Sequence, residues 1–373
     1  MHIGFEAKRF FTNFTGLGNY ARFVVDALSE FYPHDHYTLY SPATRAHPEI
    51  DPIIRRSNVQ VVAPTGGYRF FKGLWRSWGV SRHDTVQTLD VYHGLSQELP
   101  AGLPARVKKV VTVHDLIYIR YPQFYKPVDV AIYKAKVNAA CARADRVIAI
   151  SQQTAQDIVD FLHVDPRKID VVYQGCHPIF KQLVSADVRA QVRQKYNLPG
   201  RYILNVGTIE SRKNAHQLVK ALALLPREVR IPLVLIGRAT AYKEEIVRTA
   251  KENGIEDQLI FLHQASFQDF PALYQGAEVF VYPSLFEGFG IPLVEAIESG
   301  VPVVTSTGSC FQEAAGDGAL YADPHNAEEL AQQLARTLQD AALRSQLVDA
   351  GRRYIQQFQP AVIAQRLQEV YRG

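Results

Sequence analysis

Cysteine is nearly absent: Cys141, Cys176 and Cys310 are the only three in 373 residues, odd in number and widely spaced. They supply neither a disulfide framework nor the paired thiols of a zinc site, so buried thiols in a reducing compartment are the plain reading. Long apolar runs are missing as well, none approaching the length that crosses a bilayer. The start "MHIGFEAKRF" lacks the basic, apolar, small-residue order of a secretory leader, and a cytoplasmic protein is expected. Surplus charge is scarce: 41 Lys and Arg stand against 37 Asp and Glu. An excess of four is too small for general nucleic-acid binding, although a local basic patch is compatible with it. Asp-x-Asp occurs nowhere in the chain.

What the chain has is length and alternation. At 373 residues it exceeds what one core usually supports, which favours two domains. With 47% apolar and 21% charged residues it is neither disordered nor fibrous. Strands are expected at "HIGF", "YTLY", "VQVVA", "VVTV" and "RVIAI", with helices between several of them. One helix runs from Gly18 to Phe31, with Phe23, Ala27, Leu28 and Phe31 on one face. "KIDVVYQGCHPIF" then offers a strand, a glycine and a proline, a sensible junction. The alternation restarts with "YILNVG", "PLVLIG", "LIFLH", "EVFVY" and "VPVVT". The expected fold is α/β: two doubly wound Rossmann-like domains, residues 1–176 and 177–357, facing a central cleft, with a last helix at 358–373 joining the first. Ligands of such sheets bind beyond the carboxyl ends of the strands, so chemistry is sought in those loops.

The loop after "EVFVY" is "PSLFEGFG", followed by a helix from Ile291 to Ser299 with Pro292 in its first turn. Gly288 and Gly290 let backbone approach a ligand, and the amides of Phe289, Gly290 and Ile291 at the helix start make an anion cradle. Glu295, one turn into that helix, is placed to accept two hydrogen bonds from a vicinal diol such as a ribose. Glu287 stands ahead of it in the loop. A helix start that merely favours acids explains Glu295 tolerably and Glu287, flanked by glycine, poorly. "NVGTIESRKN" ends another strand with Arg212 and Lys213, one fork-like and one point-like cation suited to a pyrophosphate.

"EGFGIPLVEA" resembles the Glu-x7-Glu signature of retaining GT-B glycosyltransferases, in particular glycosyltransferase family 4 and its mannosyltransferase-like members. The resemblance covers almost the entire chain, strongest from Asn205 to Glu313 and looser before His114. It implies that Arg212 and Lys213 contact the donor diphosphate and that Glu295 holds the nucleotide ribose. It implies too that Glu287 meets the transferred sugar, and that His114 in "VVTVHDL" contacts the donor sugar. Asp115 is expected to support that loop. Gly16 and Gly18 in "TGLGNYA" lie where the family sets a Gly-x-Gly beside the donor phosphates. Gln312 and His177 depart from the family pattern, which often has proline and aspartate there, without touching a proposed catalytic group.

The resemblance implies metal-independent transfer with no cofactor, the cations filling a role usually given to a metal. The donor is a nucleotide-diphosphate sugar, GDP-mannose first and a UDP-hexose second. The acceptor is a saccharide or a lipid-linked saccharide of a surface glycan, with peripheral contact at the inner face of a membrane an open option. For that contact the stretch Tyr68 to Arg82 is the candidate, with Phe71, Trp75 and Trp78 on one helical face and Arg69, Lys72 and Arg76 nearby. Packing of this helix on the first sheet with the basic side chains snorkelling is the favoured alternative. Three rivals are weighed. A nicotinamide-dependent dehydrogenase would place its glycines directly after the first strand, whereas ten residues separate Phe5 from Gly16. A GT-B-like sugar-nucleotide epimerase would not be expected to carry this arrangement of Glu-x7-Glu with Arg-Lys. A two-domain sugar receptor has no need of pyrophosphate-suited cations.

Overall fold

The apolar runs settle into two all-parallel sheets. A computed structural model describes residues 1–373 and divides into two units, Met1–Gly175 with Phe358–Gly373, and Cys176–Gln357. The first unit contains β1 (His2–Glu6), β2 (His36–Tyr40), β3 (Val59–Val62), β4 (Val91–Gly94), β5 (Lys108–Val113), β6 (Arg146–Ala149) and β7 (Ile169–Val171). They stand in the order β3-β2-β1-β4-β5-β6-β7, every neighbouring pair parallel. The second unit contains β8 (Ile203–Val206), β9 (Leu233–Ile236), β10 (Leu259–Leu262), β11 (Val279–Tyr282), β12 (Val303–Ser306) and β13 (Ala319–Ala322). Their order is β10-β9-β8-β11-β12-β13, again all parallel. Helices cover both faces of such sheets, which is why central strands read as unbroken apolar runs: "LVLI" of β9 and "VFVY" of β11 are buried at every position. The doubly wound α/β class is thus the fold of both units.

Strand order decides where a ligand can sit. In the first sheet the winding reverses between β1 and β4, and in the second between β8 and β11. At each reversal the chain leaves two adjacent strands in opposite directions, opening a crevice beyond their carboxyl ends.

Two strands carry no clear sequence signal. β4 is four residues with a histidine and a glycine, yet it lies at the centre of its sheet. His93 is fully buried there, its Nδ1 2.7 Å from the Tyr371 hydroxyl and its Nε2 2.8 Å from Thr112 Oγ1. Burial pushes its pKa down to about 3, so the ring is a neutral core group. β13 is a short edge strand beside β12.

The first long helix begins two residues earlier than expected, at Gly16, and its buried face differs. Tyr20, Ala21, Val24, Val25, Ala27 and Leu28 face the core, whereas Phe31 is exposed at the last turn. The 68–82 stretch is not one amphipathic helix. It breaks into short turns, and only Trp75 of the three aromatics packs inward. The final helix, Pro360–Arg372, lies on the first unit, where Gln368 Nε2 donates to Asp35 at 2.7 Å and Lys108 Nζ to the Val370 carbonyl at 2.7 Å. The chain leaves and re-enters this unit at one tight point: a Cβ on Gly175 would lie 2.4 Å from the Phe358 carbonyl oxygen.

Candidate active site

In the second unit the loops after β8 and β11 are bound to each other before any ligand is considered. Asn214, in the left-handed region at φ 58°, ends the turn Ser211–Lys213 and donates from Nδ2 to the carbonyls of Pro283 and Pro324, at 3.0 and 2.7 Å. Leu285 N donates to the Arg212 carbonyl at 2.9 Å. This stitching brings Arg212 and Lys213 from one loop against Glu287 from the other. Glu287 Oε1 is 2.6 Å from Lys213 Nζ and 2.8 Å from Arg212 Nη1. Arg212 Nη2 also reaches Glu210 Oε1 at 2.8 Å, and the Tyr282 hydroxyl donates to Glu287 Oε1 at 3.1 Å.

Glu287 and its two cations are all largely buried. Burial opposes ionisation of Glu287, but Lys213 and Arg212 together outweigh it and hold the carboxyl down to about 2. Burial likewise works against the Arg212 charge, and Glu287 beside it more than compensates, raising its pKa. Burial wins at Lys213, whose pKa is lowered. A second clasp fixes the Glu287 backbone. Ser309, at φ 48°, sets its Oγ 3.2 Å from Glu287 N and 3.1 Å from Glu287 O, and Cys310 Sγ donates to the same carbonyl at 3.2 Å.

Gly290 caps the helix Ile291–Glu298 at φ 90°, a conformation costly for any residue with a Cβ. Phe289 is buried, and Pro292 occupies the first turn. Glu295 lies inside this helix in a different environment from Glu287. It receives a hydrogen bond from the Tyr274 hydroxyl at 3.0 Å, and burial pushes its pKa up to about 7 against that bond. Two carboxylates eight positions apart are thus driven to opposite ends of the carboxylic range, the pattern of groups with separate tasks.

In the first unit the loop after β1 folds back on itself. Asn13 Oδ1 accepts from Thr15 N, Thr15 Oγ1 and Gly18 N, at 2.9, 2.8 and 3.1 Å. A Cβ on Gly18 would lie 1.7 Å from the Asn13 carbonyl oxygen, whereas one on Gly16 would meet nothing within 4 Å. Gly18 is therefore demanded by the close approach of its own loop, and Gly16 alone stands open. His114 follows β5 and is buried, with Nε2 2.8 Å from the Leu95 carbonyl and its ring edge-on to Tyr20 at 4.6 Å. Burial pushes its pKa down to about 4. Asp115 turns onto its own loop, accepting from Ile117 N at 3.2 Å.

The structure thus gathers Arg212, Lys213 and Glu287 into one cluster, sets Gly290 and Glu295 on the helix that follows, and pairs the Gly16–Phe31 helix with His114 through Tyr20. Sequence reasoning passed over Glu210, Tyr274, Tyr282 and Ser309. Tyr282 had a signal, as the last residue of a strand at the switch point. No group of three His, Cys, Asp or Glu side chains suited to a metal ion occurs.

Residues 14–178 match the family model described as Glycosyltransferase Family 4, and residues 188–354 that described as Glycosyl transferases group 1. The chain is 29% identical over 295 residues to the O-antigen chain mannosyltransferase B of Escherichia coli, covering 78% of this chain and 75% of that one. It is 31% identical over 279 residues to the serotype-specific mannosyltransferase WbdA of Escherichia coli, covering 71% of this chain but only 34% of that longer protein. Among solved structures, HepE of Anabaena in complex with UDP superposes with a TM-score of 0.74 at 19% identity, over 99% of this chain and 98% of that one. At that identity the likeness concerns the fold.

Proposed function

We propose, from the premise that the chain belongs to the glycosyltransferases whose family 4 and group 1 models together span its two units, that it moves a mannosyl residue from GDP-mannose to a saccharide or lipid-linked saccharide in surface-glycan synthesis, with retention at the anomeric carbon. That it is a hexosyltransferase of glycan synthesis follows from the family itself. The mannose preference is supported by the names of relatives such as the two mannosyltransferases above.

The observation that carries the reading is the Arg212–Glu287–Lys213 cluster at the β8/β11 switch point. A departing nucleoside diphosphate develops negative charge, and fixed cations stabilise that charge more in the transition state than in the bound donor. Arg212 and Lys213 provide it, with the helix start at Gly290 directed toward the same phosphates. Glu295 takes the ribose hydroxyls. Glu287, released from its cations as phosphate arrives, turns to the hydroxyls of the transferred sugar, with His114 as a second contact to that sugar.

A thermal-shift panel of free GDP, UDP and ADP, followed by NMR of the linkage formed, tests this. A ligand that binds only the folded form raises its melting temperature. A shift with GDP and a retained anomeric configuration are expected, and transfer should survive EDTA. A shift with UDP alone replaces the mannose donor by a UDP-hexose, an inverted product removes retention, and rescue by manganese after complete loss in EDTA removes metal independence.

A further inference from the structure

The apolar residues that the first unit leaves in water are concentrated in two places. Phe70, Phe71, Leu74 and Trp78 are 87%, 65%, 53% and 54% exposed, although Trp75 between them is 2% exposed. Trp75, with Tyr68 packed beside the core and Arg76 held by Glu6, anchors a short segment whose remaining large apolar side chains face outward. Val128, Ile132 and Tyr133 are likewise exposed on the helix Pro127–Arg143, whose buried residues, Val137, Ala140 and Cys141, belong to its second half. Its first turns touch the unit through Val130, packed on the core, and Tyr133, edge-on to Tyr118, and leave Val128 and Ile132 in water.

These two segments border one groove of about 420 Å³. Gly73 and Ser77 form one wall, and Ala135 and Ala139 the other. Val128, Ile132, Ala135 and Ala139 recur at helical spacing, so the exposed tip and the groove wall are one continuous face. At the floor Arg76 is held by Glu6, at 3.1 Å, and by Glu98, which also meets Lys136. Arg143 donates to the Leu99 carbonyl and keeps its charge unpaired, so the groove itself is net basic.

Charge follows the same two segments. Residues 66–82 hold four basic residues and no acid, and residues 126–143 hold four basic residues with Asp129 as the single acid. Once Glu6 and Glu98, the partners of Arg76 and Lys136 in the groove, are counted with Asp129, the surplus is five, still above the surplus of four carried by the whole chain. Arg69, Lys72, Lys126 and Lys134 are exposed among the apolar side chains. A second copy of the same face would meet this charge with equal charge and be repelled. An anionic bilayer satisfies both features, because aromatic rings and aliphatic side chains sink to the headgroup boundary while lysine and arginine meet the phosphates.

We infer that the 66–78 segment and the first half of the Pro127–Arg143 helix form a two-part docking face for an anionic phospholipid surface, with the groove between them opening onto that surface. The inference rests on the glycosyltransferase reading only for its purpose, delivery of a membrane-borne acceptor.

Flotation of the full chain with vesicles tests it. Binding is expected to phosphatidylcholine vesicles containing phosphatidylglycerol, weakened by salt and weak on phosphatidylcholine alone. Phe70→Ser/Phe71→Ser/Trp78→Ser and, separately, Val128→Ser/Ile132→Ser should each lower the partition by about tenfold or more, as buried apolar area sets the strength. Because these side chains are exposed, the melting temperatures should stay where they are, and Leu183→Ser, exposed in the second unit, should bind as the parent does. Absence of anionic-vesicle binding, or binding that survives both variants, overturns the inference. So does loss, in the variants, of a self-association seen by sedimentation without vesicle binding. A chain that binds vesicles yet transfers no sugar leaves the docking face standing and sinks the proposed function instead.

Discussion

Lys213 Nζ lies 2.6 Å from Glu287 Oε1, so without donor the cation is already neutralised by the carboxylate that follows it in the site. Arg212 is held by the same oxygen. On the proposed donor placement, phosphate competes with Glu287 for both cations, which would make the carboxylate a placeholder before it meets the sugar. Glu287→Gln removes the competitor but leaves buried Lys213 without a carboxylate and Arg212 with Glu210 alone. The expected result is an unfolding free energy lower by about 3 kcal/mol, nucleoside diphosphate affinity that holds or rises, and turnover lower by about a hundredfold. Calorimetry with GDP and UDP beside steady-state rates checks this. An affinity loss as large as that expected of Glu295→Gln at pH 8 would erase the division between the two glutamates. The pH sign agrees: a carboxyl held near 2 rather than 4.5 stabilises the fold above pH 4.5, and that stability drains away as pH falls toward 2.

Glu295 predicts the opposite pH behaviour. Its carboxyl titrates at about 7, raised from 4.5, so its contribution to stability is full below pH 4.5 and is lost as pH rises through 7. Ribose hydroxyls need the ionised form as acceptor, so nucleotide binding should release a proton. Affinity for nucleoside diphosphate should therefore fall by about tenfold per unit as pH drops below 7 and level off above it. Glu295→Gln should flatten that dependence and bind more weakly at pH 8. Titrations in buffers of different ionisation enthalpy count the proton; a flat profile in the parent chain would separate Glu295 from the ribose.

Much of this was legible because parallel sheets advertise themselves. "PLVLIG" and "EVFVY" are solid apolar runs ending in glycine or proline, and the loops behind them hold the charged cluster. What was not legible has physical reasons. β4 is central but is four residues long, and its buried His93 is solvated by Tyr371 and Thr112 from distant parts of the chain, which no local pattern reveals. Phe31 matches the helical period yet lies beyond the reach of the core. The 68–82 stretch has an amphipathic composition without a continuous helix, so a face drawn on regular spacing wrongly grouped Trp75 with Phe71 and Trp78. Tyr274 and Ser309 act through folding alone, reaching Glu295 and Glu287 from neighbouring elements.

The two glycines of "TGLGNYA" should behave differently despite identical chemistry. Gly16→Ala adds a methyl to open space at an ordinary φ and should change stability by less than about 0.5 kcal/mol. If donor phosphates approach this loop, the methyl obstructs them and kcat/KM falls at unchanged melting temperature. Gly18→Ala drives a methyl onto the Asn13 carbonyl and should destabilise the first unit by about 1–3 kcal/mol, whatever binds there. Thermal melts with donor kinetics separate the two cases; a Gly16→Ala chain with parental kcat/KM would remove this loop from the donor site.

His114 should act without titrating. Burial pushes its pKa down to about 4, so the imidazole is neutral from pH 5 to 8. Its Nε2 proton is engaged by the Leu95 carbonyl, which makes Nδ1 the acceptor, and Tyr20 edge-on fixes the ring plane. An acceptor in that state suits a sugar hydroxyl and cannot serve as a general acid near neutrality. His114→Ala should therefore lower kcat by about tenfold to a hundredfold while nucleoside diphosphate affinity changes by less than about threefold, since the lost contact is to the sugar. The pH profile of kcat/KM should keep its shape, its limb near 7 belonging to Glu295 and persisting in the variant. Rates from pH 5 to 8 for parent and variant decide the matter. Disappearance of that limb in His114→Ala would make His114 the titrating group, and lost nucleotide affinity would place it against the diphosphate rather than the sugar.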